Sequence, residues 1–136
     1  MHKLLTDSAE ALTDKLKNYP LYSQDNKGSR AEVVARLLLP RTLWEWYILE
    51  GSYNPEADTW ALFGITYSDN TPQGEYGYIM LNELQEISVK IPVEDIQTGK
   101  HIGYVQQQVV WDTDAPAMKV GDIKQYRRTH AQTLHE

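Results

Sequence analysis

Four short apolar runs, set close together, constrain this chain more than any other feature. They are EVVARLLLP from Glu32, TLWEWYILE from Thr42, TWALFGITY from Thr59 and EYGYIML from Glu75. Each is short for a buried helix and rich in the β-branched and aromatic side chains that suit a pleated surface. The connectors GSYNPEAD and SDNTPQG are dense in Gly, Pro, Asn and Asp, the residues that turn a chain. Connections this short join antiparallel strands, whereas parallel strands need a long crossover. The segment therefore reads as an antiparallel meander.

The flanks read as helices. Leu5, Ala9, Leu12 and Leu16 recur at helical spacing, with Asp7 and Glu10 spaced as a capping box and Asn18, Tyr19 and Pro20 as the stop. NELQEI is a single helical turn with Asn82 as its cap, and HIGYVQQQVVWD is a further strand. In GDIKQYRRTHAQTL, Asp122 caps a final helix with Gln125 three residues on, and Ile123, Tyr126, His130 and Leu134 fall toward one side. The expected fold is α+β, a single domain over residues 1–136. It has an antiparallel sheet of about five strands, the N-terminal helix packed on one face and a C-terminal helix beside it.

The first two runs meet across Leu39–Thr42, where Pro40 suits the second position of a type I turn. That register sets Leu37 opposite Trp44, Arg36 opposite Glu45, Ala35 opposite Trp46 and Val34 opposite Tyr47. Alternation then gathers Trp44, Trp46, Ile48, Val33, Ala35 and Leu37 on one hydrocarbon face under a helix. The other face holds Leu43, Glu45, Tyr47, Val34 and Arg36, with an Arg36–Glu45 pair that is partly exposed.

Most reactive chemistry is excluded by residue type. The chain has no cysteine, so disulfides, thiolate metal sites and thiol nucleophiles are out. Its histidines, His2, His101, His130 and His135, make no His-Glu-x-x-His pattern, and the acids around Asp112 and Asp114 lack the glycine and glutamate of a calcium loop. TGKHIG has Glu94 where a phosphate loop needs glycine, and no Gly-x-Ser-x-Gly elbow occurs. No metal, cofactor or catalytic residue is assigned. Glu45, Glu50, Asp58, Glu75 and Glu83 leave a small hydrolase as a third reading, should two of them pair in a desolvated site.

No run of residues approaches a membrane span, and the N-terminus turns polar and acidic too soon for a signal peptide, so a cytoplasmic protein with no membrane partner is expected. The net charge of −6 opposes nucleic acid as a direct partner. The C-terminal cations Lys119, Lys124, Arg127 and Arg128, with base stacking on Tyr47, Tyr67, Tyr76, Tyr78 or Tyr104, form the alternative: an accessory nucleic-acid binder. The preferred reading is a non-enzymatic protein-interaction module, because tyrosine and tryptophan supply contact area with a polar handle. Its candidate contacts are Tyr47 and Tyr78 on the strands and Tyr53, Glu56, Asp58 and Asp69 at the loops.

Residues 4–84 resemble a small bacterial family, domain of unknown function 2958. The resemblance lies in the helix ending before Pro20–Leu21–Tyr22–Ser23, the Trp44–Glu45–Trp46–Tyr47 strand closing on Glu50–Gly51, the Phe63–Gly64 strand, and Tyr76–Gly77–Tyr78 leading into Leu81 and Leu84. Beyond Leu84 the sequence departs from the family, with VQQQVVWD lacking the family's charged Glu–Arg–Asp segment. The resemblance brings no agreed catalytic residues. It implies a gene carried on a plasmid or other mobile element near antirestriction-type functions. The expected partner is then another protein, such as a nucleic-acid-binding component of a host defence complex.

Overall fold

The structure is a computed structural model and describes residues 1–130; Leu134 and His135 lie outside the described residues. The architecture is α+β. In chain order the elements are β1 (His2–Leu4), α1 (Leu5–Leu16), β2 (Ala35–Leu38), β3 (Glu45–Asn54), β4 (Thr59–Tyr67), β5 (Glu75–Met80), α2 (Leu81–Glu86), β6 (Ser88–Glu94), β7 (His101–Gln108), β8 (Val110–Asp112) and α3 (Ile123–Thr129). The described residues form an antiparallel six-stranded sheet in the order β1-β8-β2-β3-β4-β5, and β6 and β7 form a separate hairpin. The meander β2 to β5 is present as expected, with β8 and β1 added beyond β2.

The hairpin between β2 and β3 keeps its faces but not its register. Arg36 pairs with Tyr47, Leu37 with Trp46 and Leu38 with Glu45, two residues from the expected alignment. The turn itself forms, with Thr42 N–H donating to Leu39 C=O, but Leu39 N–H reaches on to Trp44 C=O. Arg41 has φ +64°, which places a type II rather than type I geometry at the corner. A slip of two leaves every side chain on its original face. Trp46, Ile48, Ala35 and Leu37 do share the core with Leu5, Leu12 and Leu16 of α1 and Leu81 and Leu84 of α2. Val33 and Val34 are exchanged between the faces, and Trp44 lies at the margin, 36% exposed.

Four local expectations are corrected. α1 begins at Leu5, straight after β1, so Asp7 sits in its first turn and is not a cap. A carboxylate there still favours the positive end of the helix dipole. α2 starts at Leu81, and Glu83 accepts from the Met80 N–H, so Asn82 is not its cap. The Asp122 carboxylate accepts from the Lys119 N–H and closes the turn before α3, not α3 itself. The run from His101 is two strands in different sheets, separated at Val109, whose C=O takes the Leu5 N–H.

The largest correction concerns the second face. α3 does not lie beside α1. It packs on the opposite side of the sheet, where Ile123 and Met118 cover Tyr47 and Ile65. Residues 45–50 are therefore buried on both faces. β3 also carries a bulge between Ile48 and Glu50, against which β4 passes closely. Gly64 sits there, and a Cβ in its place would stand 2.2 Å from the Tyr47 carbonyl oxygen.

Candidate interaction surface

Covering the second face creates a buried charge network under α3. Arg36 donates from Nε and Nη2 to Glu45 Oε1 at 3.1 and 2.9 Å, and from Nη1 to Asp112 Oδ2 at 2.7 Å. Tyr47 donates its hydroxyl to Glu45 Oε1 at 2.8 Å, and Arg127 its Nε to Glu45 Oε2 at 3.0 Å. Arg36 and Glu45 are each 4% exposed, so the pair is not the partly exposed one expected. Desolvation alone would lower the Arg36 pKa, but the Glu45 charge and the Tyr47 hydroxyl outweigh it and raise it overall. Burial first, then Glu45, pushes the Tyr47 phenol well above its ordinary value. The two acids meet two guanidinium groups, a balanced arrangement in which neither carboxylate is left with an unspent charge.

That network removes Tyr47 from the candidate contacts: it is fully buried. Tyr53 is half exposed and donates its hydroxyl to Asp58, while Glu56 and Asp58 are exposed in the β3–β4 loop. Asp69 is exposed in the β4–β5 loop at the far end of β4. Nine residues of strand hold the two loops apart, roughly 25 Å at strand rise. They do not form one site. Among the carboxylates of the hydrolase reading, Glu45 and Glu50 are buried and bonded to donors, and Asp58, Glu75 and Glu83 are exposed. Among the described residues no group of three His, Asp or Glu side chains could hold a metal. Of the C-terminal cations, Lys124, Arg127 and Arg128 line one cleft and Lys119 another.

Tyr78 is 58% exposed and lies in the best-built surface. Phe63 on β4 faces Tyr78 on β5, with ring centroids 4.9 Å apart, and stacks diagonally on Tyr76 at 5.9 Å. Aromatic pairs across strands stabilise a sheet through such contacts. Tyr22 joins them from the loop after α1: hydrogen bonding to the Tyr22 hydroxyl pushes the Tyr78 phenol up. Tyr22 has φ +73°, an unfavourable value for a side chain with a Cβ. The buried Glu50 carboxylate holds it there, accepting the Tyr22 N–H at Oε1 and the Gln24 N–H at Oε2, both at 2.8 Å. A strained residue anchored by a buried acid is a conformation the structure goes to some length to keep. At the other end of the stripe, the Arg127 guanidinium lies 3.9 Å over the Tyr67 ring.

Among the described residues β5 is an edge strand, bonded to β4 on one side only. Edge strands are usually guarded by lysine, proline or bulges. Glu-Tyr-Gly-Tyr-Ile-Met carries one charge, at its first position, and none of the other guards. Its opposite face carries a second aromatic wall. Trp44 and Trp46 stack at 5.8 Å beside a cleft of about 300 Å³ whose lining includes Gly64, Thr66 and Gly77. Sequence reading found Tyr78 but missed Tyr22, whose role depends on an acid 28 residues away. The Tyr76–Gly77–Tyr78 pattern was the available signal for the edge.

Compared with known proteins, the chain matches no family model, no curated protein and no solved structure. Among the described residues no helix is long and apolar enough to cross a membrane.

Proposed function

We propose that the protein is a non-enzymatic interaction module of the bacterial cytoplasm that takes an extended segment of another protein along β5. An added strand gains main-chain hydrogen bonds from the edge, and its alternate side chains meet the aromatic stripe on one face and the tryptophan cleft on the other. The observation that carries this reading is the unguarded edge strand flanked by an aromatic platform anchored through strained Tyr22. The partner we infer is a host protein, in keeping with the mobile-element setting that the family resemblance implies.

A protein segment fits better than a nucleic acid. The charges of Asp25 and Glu50 reach the Tyr78 hydroxyl, Glu75 opens the strand, and the chain carries −6 overall. A phosphate backbone laid along β5 would meet repulsion where it needs cations. The basic end of the stripe, at Arg127, favours the second reading of base stacking, although that guanidinium already serves Glu45.

A display library of extended peptides tests this. Wild type selects segments at about 150 mM salt, near physiological ionic strength. The Tyr76→Lys/Tyr78→Lys variant, which adds the missing edge guard, binds them at least about tenfold more weakly, a loss of roughly 1.4 kcal/mol. Its melting temperature falls by no more than about 7 °C, because the variant loses the two ring contacts to Phe63, worth about 0.2–1 kcal/mol each, at positions that are otherwise exposed. Equal binding by the variant, or recovery from lysate that nuclease abolishes, would refute the proposal.

A further inference from the structure

Between α3 and the β4–β5 loop lies a cleft of about 590 Å³ on the second face of the sheet. Leu43 and Pro72 form apolar wall, Tyr67 and Gln73 contribute polar tips, and Lys124, Arg127 and Arg128 supply cations. Among the described residues that line it, Glu45 is the one carboxylate, and it is already bonded to Arg36, Tyr47 and Arg127.

Arg127 is held as a receptor would hold it. Its Nε is fixed by Glu45 and its central carbon lies 3.9 Å from the Tyr67 ring centroid, while its two terminal nitrogens donate to no group among the described residues. A guanidinium oriented in advance loses less freedom when it binds a planar or tetrahedral oxyanion. Lys124 and Arg128, four residues apart on α3, are exposed and make no ion pair among the described residues. The charges sort into two groups. Arg36 and Arg127 are offset by Glu45 and Asp112. Lys124 and Arg128 have no carboxylate within ion-pair distance among the described residues, two unpaired cations on a chain of net −6.

We infer that this cleft binds the phosphoryl group of a small phosphomonoester, with the organic body against Tyr67, Leu43 and Pro72. A phosphomonoester carries close to two negative charges at pH 7, which the two unpaired cations can meet, and offers oxygens to the terminal nitrogens of Arg127. The cleft is a compact receptor for one anionic group. It does not continue as a basic track: Lys119 lines a different cleft. This inference stands apart from peptide capture by β5, and either can fail without the other.

The test uses the full chain, with phenyl phosphate as the probe and nuclear magnetic resonance as the readout. Phenyl phosphate at millimolar concentration shifts the Arg127 Nε–H and Tyr67 ring signals, and its affinity falls as the pH drops through about 6, where the phosphate takes up its second proton. Lys124→Ala/Arg128→Ala weakens binding by about tenfold or more with an unchanged melting temperature, since both side chains are exposed. A single-stranded oligonucleotide, made of phosphodiesters, does not displace the probe at about 150 mM salt. The inference is overturned if no signal shifts at about tenfold higher probe concentration, if the double variant binds equally, or if the oligonucleotide binds more tightly than phenyl phosphate.

Discussion

Arg36→Met tests the buried network most directly. The wild-type guanidinium gives two bonds to Glu45 and one to Asp112 from a side chain that is 4% exposed. Methionine fills much of the space but donates nothing. Glu45 would keep Tyr47 and Arg127, while Asp112 would keep the Asp114 N–H and a long 3.5 Å contact from Tyr126. Among the described residues Glu45 then keeps one guanidinium and Asp112 none, with only the His2 ring 4.0 Å from its carboxylate. Breaking a buried ion pair by removing one partner costs about 3–5 kcal/mol, because the remaining charge stays desolvated. At the usual unfolding entropy per residue, this lowers the melting temperature of a 136-residue chain by about 10–17 °C. Urea unfolding followed by tryptophan fluorescence gives the free energy, and a cycle with Glu45→Gln gives the coupling. An exposed pair would contribute only about 0.2–1 kcal/mol. A loss within that smaller range would show that α3 does not cover the pair and that the second face is open.

Three further outcomes follow from the same packing. Burial keeps Tyr47 protonated in the folded state above its ordinary value of 10.0, so its contribution is complete below pH 10 and declines as pH rises beyond it. Tyr47→Phe should remove about 1 kcal/mol of the alkaline loss of stability between about pH 10 and 11, the slope approaching about 1.4 kcal/mol per pH unit only above that; an unchanged slope refutes the burial. Trp46→Ala empties a core site that is 4% exposed and should cost about 3–5 kcal/mol in chemical denaturation; wild-type melting would mean Trp46 is not core. β6 and β7 pair with each other outside the main sheet, so replacing residues 90–106 by a short glycine turn should leave the thermal melt within about 5 °C of wild type, as expected for a change near 1 kcal/mol. A much larger drop would show that the arm supports the sheet.

What the sequence determined by itself was local. β4 runs over the residues of its apolar stretch, Thr59–Tyr67, because alternation and the turn residues on either side define both ends. Leu5, Leu12 and Leu16 were legible as a buried helical stripe for the same reason. The shared face of Trp46, Ile48, Ala35 and Leu37 survived a two-residue error in register, since side-chain direction repeats every two residues. No element is assigned from the sequence to Ser88–Glu94, where β6 forms; its Pro92 is tolerated because the strand is an edge of a two-stranded hairpin.

Only the tertiary structure decided which surfaces are covered. Alternation says that Arg36, Glu45 and Tyr47 share a face, but burial depends on α3 arriving from more than 75 residues further on, with Asp112 and Arg127 completing the charge balance. The same dependence hid the aromatic platform. Tyr22 is one residue of a polar loop until Glu50, on another element, takes its N–H and holds it beside Tyr78. Period and turn chemistry are properties of neighbouring residues and can be read along the chain. Coverage, desolvation and charge balance arise between residues distant in sequence, so they exist only once the chain has folded.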